Sequence, residues 1–347
     1  MKRQGNLWPA ITTSENIHAA YLRARRGKAW QRTIQSFEQD IAGNLERVRQ
    51  SLIRKTFRTS PYNVKTIHEP KKRDIYVLPF APDRIVQHAL MAVVEPIWDR
   101  MFIDDSYCCR TGKGIHSGSL RAMQFVRKHK YCLKCDVSKF YPSIQHDVLF
   151  GLVQRKIKCP DALWLLRDVI YSTGGGANAP IGNYTSQWFG NLYLHELDMQ
   201  AKHVWKVRAY LRYCDDFCLF HDDKAVLRDL ATKIREFMSE RLGLRLSKCD
   251  LFPVSRGLDF LGYRHFPDGY VLLRKRTAKK MQRRLRTIPA MLASGRLTLE
   301  TARSVVASAK GWMRWANTRN LAMAMNVNDL EHTIRMELAK DGSPSVQ

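Results

Sequence analysis

Apolar positions along the chain change their period several times, and each change predicts an element. They recur at helical spacing from Ser14 to Arg26 and from Gln35 to Leu52, and Thr12 with Glu15 three residues on forms a capping box for the first helix. From Val64 to Phe80 the pattern shortens to strand-like pieces around the polar turn Pro70 to Asp74, then returns to helical spacing from Asp83 to Met101. Tyr131 to Asp136 reads as a strand, Ile144 to Lys156 and Ala162 to Tyr171 as helices, Ser172 to Asn183 as a glycine-rich loop, and Tyr184 to Trp205 as a helix. The apolar pieces Ala209 to Tyr213 and Phe217 to Phe220 flank Cys-Asp-Asp and predict a hairpin with two acids at its tip. A helix from Lys224 to Arg241 and strands near Arg245, Phe260 and Tyr270 follow. Beyond Lys275 the pattern is helical and basic to about Ala339, and Asp341 to Gln347 is expected to be a disordered tail. Hairpins mixed with helices predict an α+β fold, a sheet with helices packed on one face.

Composition adds a partner. The 347 residues are 45 % hydrophobic, enough for a sizeable core, and carry 58 basic against 32 acidic groups for a net charge of +26. A folded chain this basic is expected to meet a polyanion, nucleic acid first. The charge is uneven: net +13 over residues 1–130, +3 over 131–263 and +10 over 264–347. Two basic lobes around a near-neutral centre holding almost half the acids suit a protein that grips backbone at both ends and reserves carboxylates for metal. The eight cysteines lack disulfide spacing, no signal peptide is visible and no apolar run reaches membrane length, so a reducing cytoplasm and no membrane partner are expected. Cys132-Leu-Lys-Cys135 lies within the predicted strand and reads as a pair of core thiols.

Asp136 closes one predicted strand and Asp215-Asp216 cap the Tyr213 hairpin, so neighbouring strands of one sheet would bring three acids together. A lone Asp-Asp pair is also an ordinary polar turn. Nucleotidyl transfer, however, needs hard oxygen ligands converging from rigid elements on two magnesium ions about 3.5–4 Å apart.

The segments Cys135-Asp-Val-Ser-Lys-Phe-Tyr-Pro-Ser-Ile144, Tyr213-Cys-Asp-Asp216 and Phe260-Leu-Gly-Tyr263 resemble, in order, the first-aspartate motif, the YxDD box and the primer-grip hairpin of reverse transcriptases. The likeness runs from about Lys71 to Tyr263. It implies a right-hand polymerase: fingers with an N-terminal helical extension over 1–130, a catalytic palm with a ferredoxin-like antiparallel sheet over 131–263, and a basic helical thumb over 264–340. It implies RNA-directed DNA polymerase activity on template RNA, primer and dNTPs, with Asp136, Val137, Asp215 and Asp216 at two Mg2+ ions. Asp136 and Asp215 would be the principal ligands. It also implies that Tyr141 closes under the sugar, where a ring leaves no volume for a 2'-hydroxyl, although Tyr141 or Phe140 also suits a core. Lys72 and Arg73 resemble the segment that clamps the triphosphate, where a planar guanidinium binds phosphate in two places. The primer contacts would be Phe260, Leu261, Gly262 and Tyr263. The lysine that group II intron enzymes carry several residues after a Gly-Leu pair has no counterpart in position, since Asp250 stands there and Lys248 comes two residues early.

Within the family, Ala179-Pro-Ile-Gly-Asn-Tyr-Thr-Ser-Gln187 ends in Ser-Gln where most members have Ser-Pro, and this form resembles diversity-generating retroelements. Asp83-Arg-Ile-Val-Gln-His-Ala-Leu90 and Trp188-Phe-Gly-Asn-Leu-Tyr193 share that likeness. It implies a bacterial or phage-encoded enzyme with frequent errors opposite adenine, influenced by Ile181 and Gln187, and a small basic pentameric accessory protein. A retron or group II intron type enzyme is the alternative within the class, although the retron VTG is missing. A catalytically silent RNA-binding protein is the alternative outside it. Leu272 to Arg286 holds eight basic residues and no acid, and Arg274, Lys275, Arg276, Lys279 and Lys280 there suit phosphate tracking without base reading. Acids beyond residue 264 are too scattered for an RNase H centre.

Overall fold

The computed structural model describes residues 2–68 and 71–340. The fold mixes helices with antiparallel pairings and divides into two units. The first runs to Gly114 and takes up Lys134–Leu219 and Arg228–Asp250; the second takes Ile115–Leu133, Phe220–Leu227 and the chain from Leu251 onward. Among the described residues the strands are β1 (Asn63–Ile67), β2 (Arg73–Val77), β3 (Tyr131–Val137), β4 (Tyr210–Tyr213), β5 (Asp216–His221), β6 (Leu246–Pro253), β7 (Leu258–Phe260), β8 (Tyr263–His265) and β9 (Val271–Leu273).

The first unit contains the β1–β2 hairpin, paired from Asn63↔Val77 to Ile67↔Arg73, and most of a sheet in the order β4-β5-β3-β6. Strand β3 buries Cys132, Leu133, Cys135 and Val137 and leaves Lys134 and Asp136 partly exposed, so its apolar alternation decides which way its one acid points. The Ile85–Asp99 helix buries Ile85, Val86, Leu90, Met91, Val94 and Trp98. The Tyr184–Met199 helix is buried on nearly all sides, with Trp188, Phe189, Tyr193 and Leu194 inside. Burying an apolar side chain of this kind is worth about 1.5–3 kcal/mol, and the Tyr184–Met199 helix meets β4 through Asn191 and Asp198, which accept from Arg212.

In the second unit β7-β8-β9 form an antiparallel sheet, beside which the Ile115–Lys128, Lys275–Ala293, Leu299–Met313 and Val327–Lys340 helices pack. Tyr263, Leu285, Ile288, Val306, Met313 and Ile334 share its core.

Three expectations are corrected. The first long helix is Ser14–Arg25, and its cap is Thr13, whose hydroxyl accepts from the Asn16 N–H; Thr12 instead donates to the Trp8 carbonyl at 3.0 Å. The stretch from Gln35 to Leu52 is two helices, Arg32–Glu38 and Ile41–Ile53, because Asp40 caps the second by accepting from the Gly43 N–H at 2.9 Å. The span from Tyr184 to Trp205 changes to a wider turn at Gln200–Val204. The Ile115–Lys128 helix is absent from the sequence expectations although Ile115, Ala122, Met123 and Val126 recur at helical spacing; Ser119 is buried on it, 2.7 Å from His265 Nε2. Pro70 and the tail from Asp341 lie outside the described residues. Among the described residues no helix is long and apolar enough to cross a membrane.

Candidate active site

The Tyr213 hairpin closes with Tyr213 paired to Asp216, leaving Cys214 and Asp215 as a two-residue turn. Of the two acids, Asp215 alone is therefore at the tip, while Asp216 begins β5. Cys214 has φ 55°, a left-handed conformation that costs an L-residue about 1–2 kcal/mol. The compensation lies beneath it. Arg212 is fully buried and donates from Nη1 to the Cys214 carbonyl at 3.0 Å and to Asn191 Oδ1 at 3.2 Å. Its Nε and Nη2 grip the two carboxylate oxygens of Asp198, also fully buried, at 2.7 and 2.5 Å. Tyr210 donates to the same carboxylate at 2.7 Å, and Asn191 donates to the Cys108 carbonyl. The strained turn thus stands on a satisfied polar network.

Asp136 accepts from Ser247 Oγ at 2.6 Å across to β6, and the same hydroxyl lies 3.1 Å from the Asp136 carbonyl. Lys134 Nζ lies 3.2 Å from Asp216 Oδ2. Burial pushes the Asp215 carboxyl up; the negative charge of Asp136 adds to this and Arg73 opposes it. Burial likewise pushes Asp216 up to about 6 against the pull of Lys134, with Asp136 and Asp215 adding repulsion. The fold therefore sets the three carboxylates within one another's field, with Arg73 facing the same charge.

The donor set suits a hard divalent cation. Asp216 Oδ1 is buried without a hydrogen-bond partner, and the mutual repulsion is of the kind a cation relieves. Among the described residues no group of three or more acid, histidine or cysteine side chains is placed to hold a metal ion on protein ligands alone. Magnesium needs none, since it binds through one or two carboxylates with water and substrate phosphate completing its shell. Val137, buried at the end of β3, follows Asp136 directly.

Tyr141 sits in a short helix, Phe140–Ser143, with its hydroxyl 3.3 Å from Cys214 Sγ and its ring beside Phe140. Gly190 lies under both rings: a Cβ there would stand 3.0 Å from Phe140 and 3.3 Å from Tyr141. The Ala179 N–H donates to the Tyr141 carbonyl, and the Tyr76 N–H of β2 donates to the Ile181 carbonyl at 2.7 Å. Gly182, φ 116°, would place a Cβ 2.8 Å from the Tyr76 carbonyl, so only glycine lets this loop lie against the basic hairpin. Lys72 and Arg73 are exposed on that hairpin. Gln187 is exposed at the fourth position of the Tyr184–Met199 helix. Asp136, Val137, Asp215, Asp216, Lys72, Arg73, Tyr141, Ile181 and Gln187 all belong to the first unit.

The predicted primer residues belong to the second. Phe260 and Tyr263 pair across the two-residue turn Leu261-Gly262, and a Cβ on Gly262 would stand 2.8 Å from Trp312. Trp312 stacks on Tyr263, while Trp315 is 38 % exposed and stacks on His116. Lys275, Arg276, Lys279 and Lys280 lie on a helix that buries Leu285 and Ile288, with Lys275 and Lys279 at its basic surface. Arg274, just ahead of the helix, is ion-paired with Asp259.

Sequence reasoning misses Arg212, Asp198, Asn191, Ser247, Lys134 and Gly190. One signal is available for the first two: an arginine inside an apolar strand and an aspartate inside an apolar helix are buried only when paired.

The family profile described as reverse transcriptase (RNA-dependent DNA polymerase) matches residues 68–265. Protein YkfC of Escherichia coli strain K12 is 26 % identical over 260 residues, covering 61 % of this chain and 66 % of its own. An uncharacterized 91 kDa protein in the cob intron of Schizosaccharomyces pombe is 29 % identical over 124 residues, 33 % of this chain and 15 % of its own. The group II intron-encoded protein LtrA of Lactococcus lactis subsp. cremoris is 24 % identical over 168 residues, 44 % and 27 %. The chain spans less than two thirds of the length of each of these relatives. With the match covering more than half of it, the chain belongs to the reverse transcriptase family, the RNA-dependent DNA polymerases.

Proposed function

We propose that this chain copies a template RNA into cDNA by nucleotidyl transfer at Asp136, Asp215 and Asp216, in a right-hand polymerase with fingers over 1–130, palm over 131–263 and thumb over 264–340. The observation that carries the reading is the buried, mutually repelling carboxylate set with Asp216 Oδ1 unsatisfied. Two Mg2+ ions bound there would lower the pKa of the primer hydroxyl and neutralise charge on the α-phosphate. Ser247 holds the Asp136 carboxylate in one orientation, and Arg212 holds the turn that presents Asp215. Arg73, exposed and felt by Asp215, binds the triphosphate.

Tyr141 rejects ribonucleotides by occupying the volume of a 2'-hydroxyl. Its position depends on Gly190, so Gly190→Ala should displace the ring by a few tenths of an ångström and lower the dNTP over rNTP ratio of kcat/KM about tenfold, or about 1.4 kcal/mol. An unchanged ratio in single-nucleotide incorporation assays would remove Tyr141 from this role.

The basic face of the Lys275–Ala293 helix binds single-stranded backbone. Neutralising Lys275, Arg276, Lys279 and Lys280 should lower the slope of log K against log salt by about 0.7 for each phosphate that is no longer paired with a cation. Arg274→Gln should change it less than Lys275→Gln or Lys279→Gln, because Arg274 already neutralises Asp259. Filter binding of a defined RNA across a salt series measures this, and an unchanged slope moves the footprint elsewhere.

The enzyme serves a diversity-generating retroelement, a reading supported by the Ile181 to Gln187 segment, and acts with a small basic pentameric accessory protein in a bacterial or phage-encoded cytoplasmic setting. A group II intron type enzyme is the second reading, favoured by the likeness to LtrA. Sequencing the DNA made on a known RNA separates them: errors concentrated opposite adenine, reduced by Gln187→Pro, are expected of the first. Even errors at all four bases exclude it and leave the polymerase reading standing.

A further inference from the structure

Outside the carboxylate site, two thiols from neighbouring strands face each other. Cys135 of β3 and Cys249 of β6 place their sulfurs 3.5 Å apart, β3 and β6 being adjacent in the sheet. Cys135 is fully buried and Cys249 half-buried, and both are free thiols. Both also lie next to the support of Asp136 along their strands: Cys135 precedes it in β3, and Ser247, two residues before Cys249 in β6, carries the hydroxyl that holds its carboxylate.

We propose that Cys135 and Cys249 form a reversible redox modification site, in which a hydroperoxide oxidises Cys249 and Cys135 resolves the product to a disulfide tying β3 to β6 beside Asp136.

The division of labour follows from the surroundings. Cys249 is half-buried and within reach of a small peroxide, whereas Cys135 is fully buried and reached only through its partner; the hydrogen bond from Cys135 lowers the Cys249 thiol, Arg235 helping and burial and Asp250 opposing. A partly accessible thiolate beside a resolving thiol is the arrangement that favours reversible oxidation over further oxidation. In the first step the Cys249 thiolate attacks one peroxide oxygen; the O–O bond breaks, Cys249 becomes a sulfenic acid and hydroxide leaves. In the second, the Cys135 sulfur attacks the sulfenic sulfur, the S–O bond breaks, the thiol proton leaves with the hydroxyl as water, and the disulfide forms. A disulfide is about 2.05 Å long, so the sulfurs must approach by about 1.5 Å. Displacement of about 1 Å at a catalytic constellation can cost about 100-fold in rate. The linkage would therefore act as a switch on extension.

The test treats the purified full chain with a few equivalents of hydrogen peroxide, alkylates the remaining thiols, maps linked peptides by mass spectrometry without reduction, and assays primer extension in parallel. The expected result is a Cys135–Cys249 linkage, at least a tenfold loss of extension, and recovery with dithiothreitol. Cys249→Ser should extend normally and resist peroxide. Should that variant fold poorly, Cys135→Ser, which keeps a donor beside Cys249 but cannot form a disulfide, provides the second readout: its Cys249 stops at the sulfenic acid and is labelled by dimedone. Linkage among Cys108, Cys109 and Cys214 instead, inactivation that persists in Cys249→Ser, a linkage that leaves extension unchanged, or no dimedone label on Cys249 in Cys135→Ser would each overturn the proposal.

Discussion

Asp215→Asn is expected to abolish primer extension, with a loss of about 10³-fold or more, while RNA affinity at the same salt stays within about twofold. The loss corresponds to about 4 kcal/mol of transition-state stabilisation. The substitution keeps the shape of the tip and removes the charge that a cation needs. Asn also relieves the repulsion that burial and Asp136 impose on Asp215, so the variant should fold at least as well as the parent. That separates this outcome from simple unfolding. RNA binding rests on exposed basic side chains such as Lys275 and Lys279, which the change does not touch. Single-turnover extension with a labelled primer, beside filter binding, decides the matter. Extension within tenfold of the parent would remove Asp215 from the site, and a parallel fall in RNA affinity would make its role structural.

How much of this is legible in the sequence depends on the range over which each feature is determined. Strand β3 and the Tyr213 hairpin are readable because alternation and turn residues are local signals, and the structure forms both. The break at Asp40 escapes the pattern because the apolar period runs across it; a side chain capping the Gly43 N–H decides the boundary. The Ile115–Lys128 helix keeps a helical apolar period at Ile115, Ala122, Met123 and Val126, and what its spacing does not show is that Ser119 on that face meets His265. Around the aspartates the charged groups are legible and their supports are not. Nothing in the spacing tells that Ser247 lies over Asp136, or that the Tyr76 N–H reaches the Ile181 carbonyl, since those contacts close loops of more than 100 residues. Gly190 reads in the sequence only as part of a motif; its close approach to Phe140 and Tyr141 is a property of packing.

The buried pair beneath the turn should give the largest effect on stability. Asp198→Ala leaves the Arg212 guanidinium in the interior without its counter-charge, which costs about 3–5 kcal/mol when one partner of a buried pair is removed. The expected outcome is a lower urea midpoint for the first unit and little soluble protein at 37 °C. Removing both charges is a different experiment. Asp198→Leu with Arg212→Met takes away the uncompensated charge and should restore much of the stability, since buried ion pairs often stabilise no more than apolar groups of similar volume. It should not restore extension, because the Cys214 carbonyl then loses the donor that offsets its left-handed turn. Arg212→Lys probes the same point with the charge kept: an ammonium is a single point and cannot hold two carboxylate oxygens of Asp198 together with the Cys214 and Asn191 oxygens, as the planar fork does. We expect Arg212→Lys to fold, to show a kcat about tenfold lower and to leave the KM for dNTP nearly unchanged. If the double variant regains both stability and rate, the network serves packing alone and Arg212 is no positioning residue; if it regains stability while the rate stays low, the buried arginine sets the geometry of the aspartate turn.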